Sequence, residues 1–207
     1  MQTKKIVNFF FELNQLKRIS HVGLLRIGVK NVDSVAEHVF RASQIAYILA
    51  IMENANPERA ATIVLFHDNG EARVGDQDKV AARYWSMKEA EKLALFEQLS
   101  FLPKKFQKKL ENYHKQYATR NTKEGIIAKD ADWLELAFQA KEYIDTGYQG
   151  ARYWIKNIEE ALETKSAKKI LKEMKQADFN DWHQELQKMT YTKLKQKKSC
   201  KIFFCLC

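Results

Sequence analysis

The 207-residue sequence predicts an all-α protein, and three observations support this fold class. Hydrophobic residues make up 45% of the chain, which is enough to pack a core. Only 7 Gly and 2 Pro are present, too few for the many turns of a β-sandwich or barrel. Apolar residues recur at helical spacing, and no segment alternates with a two-residue period. We therefore expect a single helical bundle over residues 1–164, followed by a basic helical extension over residues 165–207.

Apolar spacing and capping residues define the first elements. Phenylalanines, leucines and Ile6 at helical spacing predict a helix over roughly residues 3–18. Two glycines indicate a loop over residues 20–32. The stretch Ser34-Val-Ala-Glu37 has the form of a capping box, which predicts the start of the second helix.

The following elements are also defined by their ends. Asn56-Pro57 predicts the start of a third helix that continues to about Arg73, before a turn at Gly75-Asp76. Asn121 and Glu124 form a second capping pair. Further helices are expected at about 86–99, 104–117, 123–145, 151–163 and 166–194.

The net charge of +9 is concentrated in the C-terminal extension. Residues 165–207 contain 11 Lys and only four acidic residues, so the rest of the chain is nearly neutral. A nearly neutral body gives little reason to expect a nucleic-acid-binding surface there, because phosphate binding needs clustered cations. A nucleic-acid-binding module is therefore the third-ranked interpretation and depends on the extension alone.

Cysteine placement and apolar runs indicate the compartment. All three cysteines, Cys200, Cys205 and Cys207, lie at the C-terminal end, so no disulfide supports the body. No apolar run approaches the ~20 residues that a membrane span needs. The N-terminus also lacks the continuous apolar core of a secretory signal. We therefore expect a cytoplasmic protein.

Two of the five histidines lie in segments that otherwise read as core. His38 is in the first turn of the capped helix, and His67-Asp68 closes an apolar run, where desolvation is costly without a compensating ion. On a helix, His67, Asp68 and Glu71 share one side, which could carry two metal ligands and an acid–base group. Imidazoles with carboxylates suit Mn²⁺, Co²⁺, Fe²⁺ or Zn²⁺. Each residue alone also has a structural interpretation, and His114 and His183 lie in polar stretches where we expect exposure.

The order of His38, His67-Asp68 and a later helical Asp resembles the pattern of the HD-domain metal-dependent phosphohydrolases. Flanking motifs extend this resemblance to the 5′-deoxynucleotidase-like branch over roughly residues 5–146: Asp33-Ser-Val-Ala-Glu-His38 with Arg41, Leu65-Phe-His-Asp-Asn-Gly-Glu71, Val74-Gly-Asp76 and Asp132-Trp-Leu-Glu135. The resemblance implies that residues 1–164 form one HD domain.

The resemblance also implies roles for individual residues. It implies a metal site formed by His38, His67, Asp68 and Asp132. Glu71 matches the family's acid–base residue, and Asp76 matches an acid that contacts substrate or water. One divalent ion is implied, with Mn, Co, Fe, Zn and Mg as the candidates, and family members commonly form homodimers.

The fourth ligand has two candidates on one helix. Asp130 lies on the apolar stripe of the 123–145 helix, so periodicity favours it as the inward-facing residue. The family motif favours Asp132 instead, and we give priority to the motif register. Asp130 is then expected to contact the residues that hold the metal, or to lie at the surface.

The loop before the first ligand departs from the family. Members carry Arg-Thr-Gly-Trp where this chain has His21-Val-Gly-Leu24, and an imidazole cannot bind a phosphate in the bidentate manner of that Arg. Arg26, Arg41 and His21 are therefore the candidate substrate-binding residues.

The resemblance implies hydrolysis of a nucleotide phosphomonoester, and we expect a deoxynucleoside 5′-monophosphate as substrate. One alternative is a phosphohydrolase of another small phosphorylated compound. Another is a nucleotide-sensing HD protein that keeps the site but turns over little. Phosphate release from a nucleotide panel would separate the enzymes from the sensor.

Overall fold

The computed structural model describes residues 2–184 and residue 186, and this part of the chain forms ten α-helices and no β-strand, which confirms the all-α expectation. None of these helices is long and apolar enough to cross a membrane. The helices are α1 Gln2–Leu13, α2 Val35–Met52, α3 Pro57–Leu65, α4 Glu71–Val74, α5 Lys88–Leu99, α6 Lys104–Thr119, α7 Lys123–Asp145, α8 Arg152–Ala161, α9 Lys165–Met174 and α10 Asp181–Gln184.

The long helices α2 and α7 pack against each other and against α3 to form the centre of the bundle. Fully buried alanines such as Ala42 and Ala46 on α2 and Ala131 on α7 allow the helix backbones to approach closely. The larger core side chains, including Leu49 and Leu134, fill the remaining space in the same cluster. The start of α2, the end of α3 and the middle of α7 therefore hold the candidate residues in fixed positions.

The helix α9 packs against α7 and adds Ala167, Leu171 and Met174 to the main core. The domain division at residue 164 stays a prediction, but this part of the extension is packed within the bundle. The helix expected over 166–194 ends at Met174, and α10 follows after a turn. The remainder of that prediction, like the expected unstructured end with its cysteines, lies outside the described residues.

Two of the three predicted caps are present, and one is corrected. Ser34 accepts a hydrogen bond from the Glu37 backbone N–H, and the Glu37 carboxylate accepts one from the Ser34 N–H at 2.7 Å, as in a capping box. Asn56 caps α3 by accepting from Arg59 N at 2.8 Å. The cap of α7 is Thr122 and not Asn121, because the extended backbone of Thr122 directs its hydroxyl to the first turn.

Three segments depart from the predicted helix boundaries. The first helix ends at Leu13 and continues as a 3-10 turn over Asn14–Lys17. The expected loop before α2 contains a 3-10 segment over Val22–Ile27. The third helix stops at Leu65, and residues 66–70 form a turn before α4.

Candidate metal centre

His38 lies in the first turn of α2, and its side chain is 1% exposed. Its Nδ1 shares a short hydrogen bond with the carboxylate of Glu135 on α7, which is equally buried. Arg41 donates to the other oxygen of Glu135 at 2.8 Å. Because Nδ1 is engaged by a carboxylate, Nε2 of His38 is the nitrogen available to a ligand.

His67 and Asp68 lie in the turn between α3 and α4. The backbone N–H of His67 and its Nδ1 both bind Val64 O, at 3.2 and 2.7 Å, and this tightens the chain after α3. Gly70 follows, and a Cβ there would lie 2.3 Å from the carbonyl oxygen of Glu91 on α5. Only glycine therefore permits this close approach to α5. His67 and Asp68 lie in the turn and Glu71 begins α4, so the three residues do not share the continuous helix that the sequence predicts.

Asp132 lies on α7 with its two carboxylate oxygens in different surroundings. Oδ1 is 3.2 Å from His38 Nε2. Oδ2 accepts hydrogen bonds from Tyr117 Oη at 2.5 Å and from Lys129 Nζ at 2.8 Å. The phenol and the ammonium orient the carboxylate so that Oδ1 is directed toward the histidines.

The structure brings His38, His67, Asp68 and Asp132 together. The donor atoms of His38, His67 and Asp132 lie within 4.8 Å of one another. Asp68 Oδ2 is 2.9 Å from His67 Nε2 and 3.9 Å from His38 Nε2. Two imidazole nitrogens and two carboxylate oxygens are a donor set that suits a borderline divalent cation.

The electrostatics of the cluster also fit a cation. Burial alone would lower the pKa of His67, but the Asp68 and Asp132 carboxylates outweigh it and raise that pKa to about 9. Burial opposes the charged form of Asp132, yet Lys129 and the two histidines hold its pKa well below the usual range. The site thus concentrates anionic oxygens that a metal ion can neutralise.

Glu71 and Asp76 lie beside this cluster. The Glu71 side chain is buried, and its Oε2 has no hydrogen-bond partner among the described residues. Burial, followed by the charge of Asp68, raises the pKa of Glu71 to about 11. Asp76 Oδ2 accepts a 2.7 Å hydrogen bond from Val22 N, and burial raises the pKa of Asp76. Glu71 is therefore poised to hold or take a proton.

Two cavities open at the cluster. The larger, about 1100 Å³, contains His38, His67, Asp68 and Glu71 in its wall, and the smaller is about 400 Å³. His21, Asp76, Gln77, Asp132 and Trp133 line both. The ring of His21 lies 4.5 Å from that of His38, centroid to centroid.

The exposure expected for two histidines is corrected, and one of them lines the larger cavity. His114 was expected to be exposed but is half-buried, because α6 packs its ring edge-on against Phe96 in the wall of the larger cavity. His183 is also only partly exposed. Asp130 is fully buried, as its periodicity indicated, and accepts hydrogen bonds from Thr164 N and Oγ1 ahead of α9.

The two candidate arginines have different surroundings. Arg26 lines the smaller cavity and donates to Asp78 Oδ2 at 2.7 Å. Arg41 is bound by Glu135 and Glu142, so its guanidinium supports the His38 partner. Sequence reasoning assigned no role to Glu135, Tyr117 or Lys129; the spacing of Lys129 three residues before Asp132 was the available signal.

Comparisons with known proteins agree with this geometry. The profile of the HD domain family matches residues 13–194. A 5′-deoxynucleotidase HDDC2 of Bos taurus is 30% identical over 145 residues, covering 69% of each chain. A conserved hypothetical protein of Pyrococcus furiosus superposes with a TM-score of 0.69 at 30% identity, covering 83% of this chain and 99% of its own.

A cyanophage S-2L HD phosphohydrolase, solved with dA and one catalytic Zn²⁺ ion, shares the fold with a TM-score of 0.54 at 15% identity; 81% of this chain and 96% of that one are covered. The matched family residues include every segment that contributes to the cluster, from His21 to Asp132. A divalent metal ion is the cofactor of HD phosphohydrolases, and the donor set described above suits one. The chain therefore belongs to the HD domain family.

Proposed function

We propose that the protein is a metal-dependent phosphohydrolase that releases phosphate from deoxynucleoside 5′-monophosphates. One observation carries this proposal: two histidines and two aspartates converge beside the buried carboxyl of Glu71, whose Oε2 meets no hydrogen-bond partner in the part of the chain that the structure describes. Relatives of the chain that are named 5′-deoxynucleotidases support the choice of substrate.

In this proposal His38, His67, Asp68 and Asp132 hold a divalent cation, with Mn, Co, Fe, Zn and Mg as candidates. When bound, such an ion polarises a phosphoryl oxygen and lowers the pKa of a coordinated water. The negative charges of four neighbouring acids contribute to the raised pKa of Glu71. A bound cation would offset these charges and so lower the pKa of Glu71.

Glu71 then acts as the general base and acid. Once ionised, its carboxylate accepts a proton from the water that attacks phosphorus, and the carboxyl later returns a proton to the leaving 5′-oxygen. Asp76 lies where both cavities meet, and we propose that it contacts the substrate or the attacking water.

The three basic candidates are proposed to have different roles. His21 lies beside His38 and is proposed to contact the phosphate. Arg26 is proposed as a contact within the smaller cavity. For Arg41 we propose a positioning role through Glu135, since both of its carboxylate partners are on α7.

The direct test is phosphate release from a panel of nucleoside and deoxynucleoside monophosphates with each candidate metal. Asp68→Ala should lose both the metal and the activity. Glu71→Gln should keep the metal and lose about 10²–10⁴-fold in rate, the scale of a general base. A metal-loaded protein that binds nucleotides without releasing phosphate would establish the sensing alternative instead.

We further propose that the enzyme is a cytoplasmic homodimer. The outward side of α2 supports the homodimer, because Phe40, Ile48 and Ile51 share it and are 70%, 55% and 56% exposed. Burial of this face against a second copy would remove it from water. Light scattering of wild type and of Ile48→Lys tests the assembly, with a monomeric wild type contradicting it.

A further inference from the structure

The two cavities that meet at the cluster differ in character. The smaller one is lined mainly by apolar and aromatic side chains, among them Leu24, Trp133, Leu136, Trp154 and Ile158. Its volume of about 400 Å³ suits one small ring system, and polar side chains that include Arg26, Asp78 and Asn157 lie in the same wall.

The larger cavity has charged walls. Lys88, Lys92, Lys108 and Lys115 contribute to it together with Glu89 and other acids, and its volume is about 1100 Å³. The lysine ammonium groups in this wall can bind phosphate oxygens by charge-assisted hydrogen bonds. Since both cavities include Asp132, a molecule with its phosphate at the cluster has a charged side and an apolar side available to it.

The helix α8 forms the outer wall of the smaller cavity. Trp154 is half-buried, and a Cβ at Gly23 would lie 3.6 Å from its Nε1, so the indole packs against the loop that begins at His21. One turn further along α8, the exposed side chain of Asn157 lines the same cavity. An indole and an amide are a stacking surface and a donor–acceptor pair, which are the groups that bind a nucleobase.

We propose that the smaller cavity binds the nucleobase of the substrate, with Trp154 stacking on the ring and Asn157 reading its polar edge. This inference rests on the proposed function for the identity of the substrate. It assigns base preference to α8, which follows the stretch of the chain where the HD motifs lie.

The experiment uses full-length, metal-loaded protein and three variants. Trp154→Leu keeps apolar volume but removes the ring, Asn157→Ala removes the amide, and Trp182→Leu alters a 74% exposed tryptophan outside the cavity as the matched control. Each variant is assayed on the four common deoxynucleoside monophosphates and on 2-deoxyribose 5-phosphate, which has no base.

Trp154→Leu should raise KM for all four nucleotides by about tenfold and leave deoxyribose 5-phosphate unaffected, because only base stacking is lost. Asn157→Ala should change the ratio of kcat/KM between bases by about fivefold, the scale of one hydrogen bond. Trp182→Leu should match wild type. Equal effects on nucleotides and on deoxyribose 5-phosphate would overturn the inference, as would a change in base preference caused by Phe96→Leu in the larger cavity.

Calorimetric measurement of deoxyadenosine binding separates this inference from the proposed function. If wild type hydrolyses no nucleotide but binds the nucleoside, and Trp154→Leu abolishes that binding, the proposed function fails and the base site stands. If nucleotides are hydrolysed and Trp154→Leu binds the nucleoside as wild type does, the base site is wrong.

Discussion

The hydroxyl of Tyr117 donates a 2.5 Å hydrogen bond to Oδ2 of Asp132, the carboxylate oxygen opposite the one that approaches His38. Lys129 Nζ contacts both groups, at 2.7 Å from the phenol oxygen and 2.8 Å from the carboxylate. A residue on α6 thereby sets the orientation of a proposed ligand on α7.

Replacing that phenol should weaken metal binding. Tyr117→Phe removes one of the two donors to Asp132 Oδ2, and loss of such an orienting contact typically costs 10- to 100-fold in metal affinity. Chelator competition on purified protein measures the effect. Tyr113→Phe, at a partly buried position on the same helix, is the control and should bind metal like wild type.

The two aspartates near the middle of α7 should respond in opposite ways. Asp132→Asn should lose most metal affinity, because one anionic donor disappears. Asp130→Asn should keep the metal but lower thermal stability, since its carboxylate binds the backbone ahead of α9 at Thr164. Metal content and melting temperature of both variants decide the assignment, and a reversed pattern would make Asp130 the ligand.

Glu71 should make the metal-free protein less stable as pH rises. Its pKa is about 11 in the folded state against 4.5 for an ordinary glutamate, so folding takes up a proton between these values. Stability then falls with rising pH above 4.5, by at most about 1.4 kcal/mol per pH unit. Glu71→Gln should therefore be more stable than wild type at pH ~8 and differ less at pH ~5.

Urea unfolding with a chelator present measures this difference. A gap between Glu71→Gln and wild type that stays constant across the two pH values would show that Glu71 is ionised in the fold.

An arginine at the position of His21 should improve phosphate binding. The His21 ring lies in the wall of both cavities, and Arg26 already pairs with Asp78. A charge-assisted hydrogen bond of roughly 1.5–3 kcal/mol would lower KM of His21→Arg for nucleotides by about ten- to a hundredfold. Steady-state kinetics test this, with Arg26→Ala beside it. An unchanged KM in His21→Arg combined with a raised KM in Arg26→Ala would assign phosphate binding to Arg26.

Local signals in the sequence predicted much of the fold. The capping box at Ser34 and the Asn56 cap depend on side chains within three residues of each other, so they can be found without tertiary information. The break at residue 66 could not be found in this way. The turn there brings Gly70 against the α5 backbone at Glu91, a close approach between segments that are distant in sequence.

The surroundings of the site were also beyond sequence reasoning. Periodicity placed Asp130 inside the protein correctly, but the burial of a side chain does not say which partner it meets. His114 lies in a polar stretch that reads as exposed, and only the packing of α6 beside α5 turns it toward the larger cavity. Contacts between helices decide both cases.

The four proposed ligands come from three stretches of chain that are far apart in sequence. A cation held by His38, His67-Asp68 and Asp132 would close loops of about 30 and about 65 residues. Bringing the ends of each loop together costs conformational entropy, which the bound cation would offset. The chain has no cysteine before Cys200, so no disulfide can supply such cross-links in the bundle. The ion proposed for the chemistry would then also cross-link α2, the turn after α3 and α7, and its removal would increase the rate at which these three segments open locally.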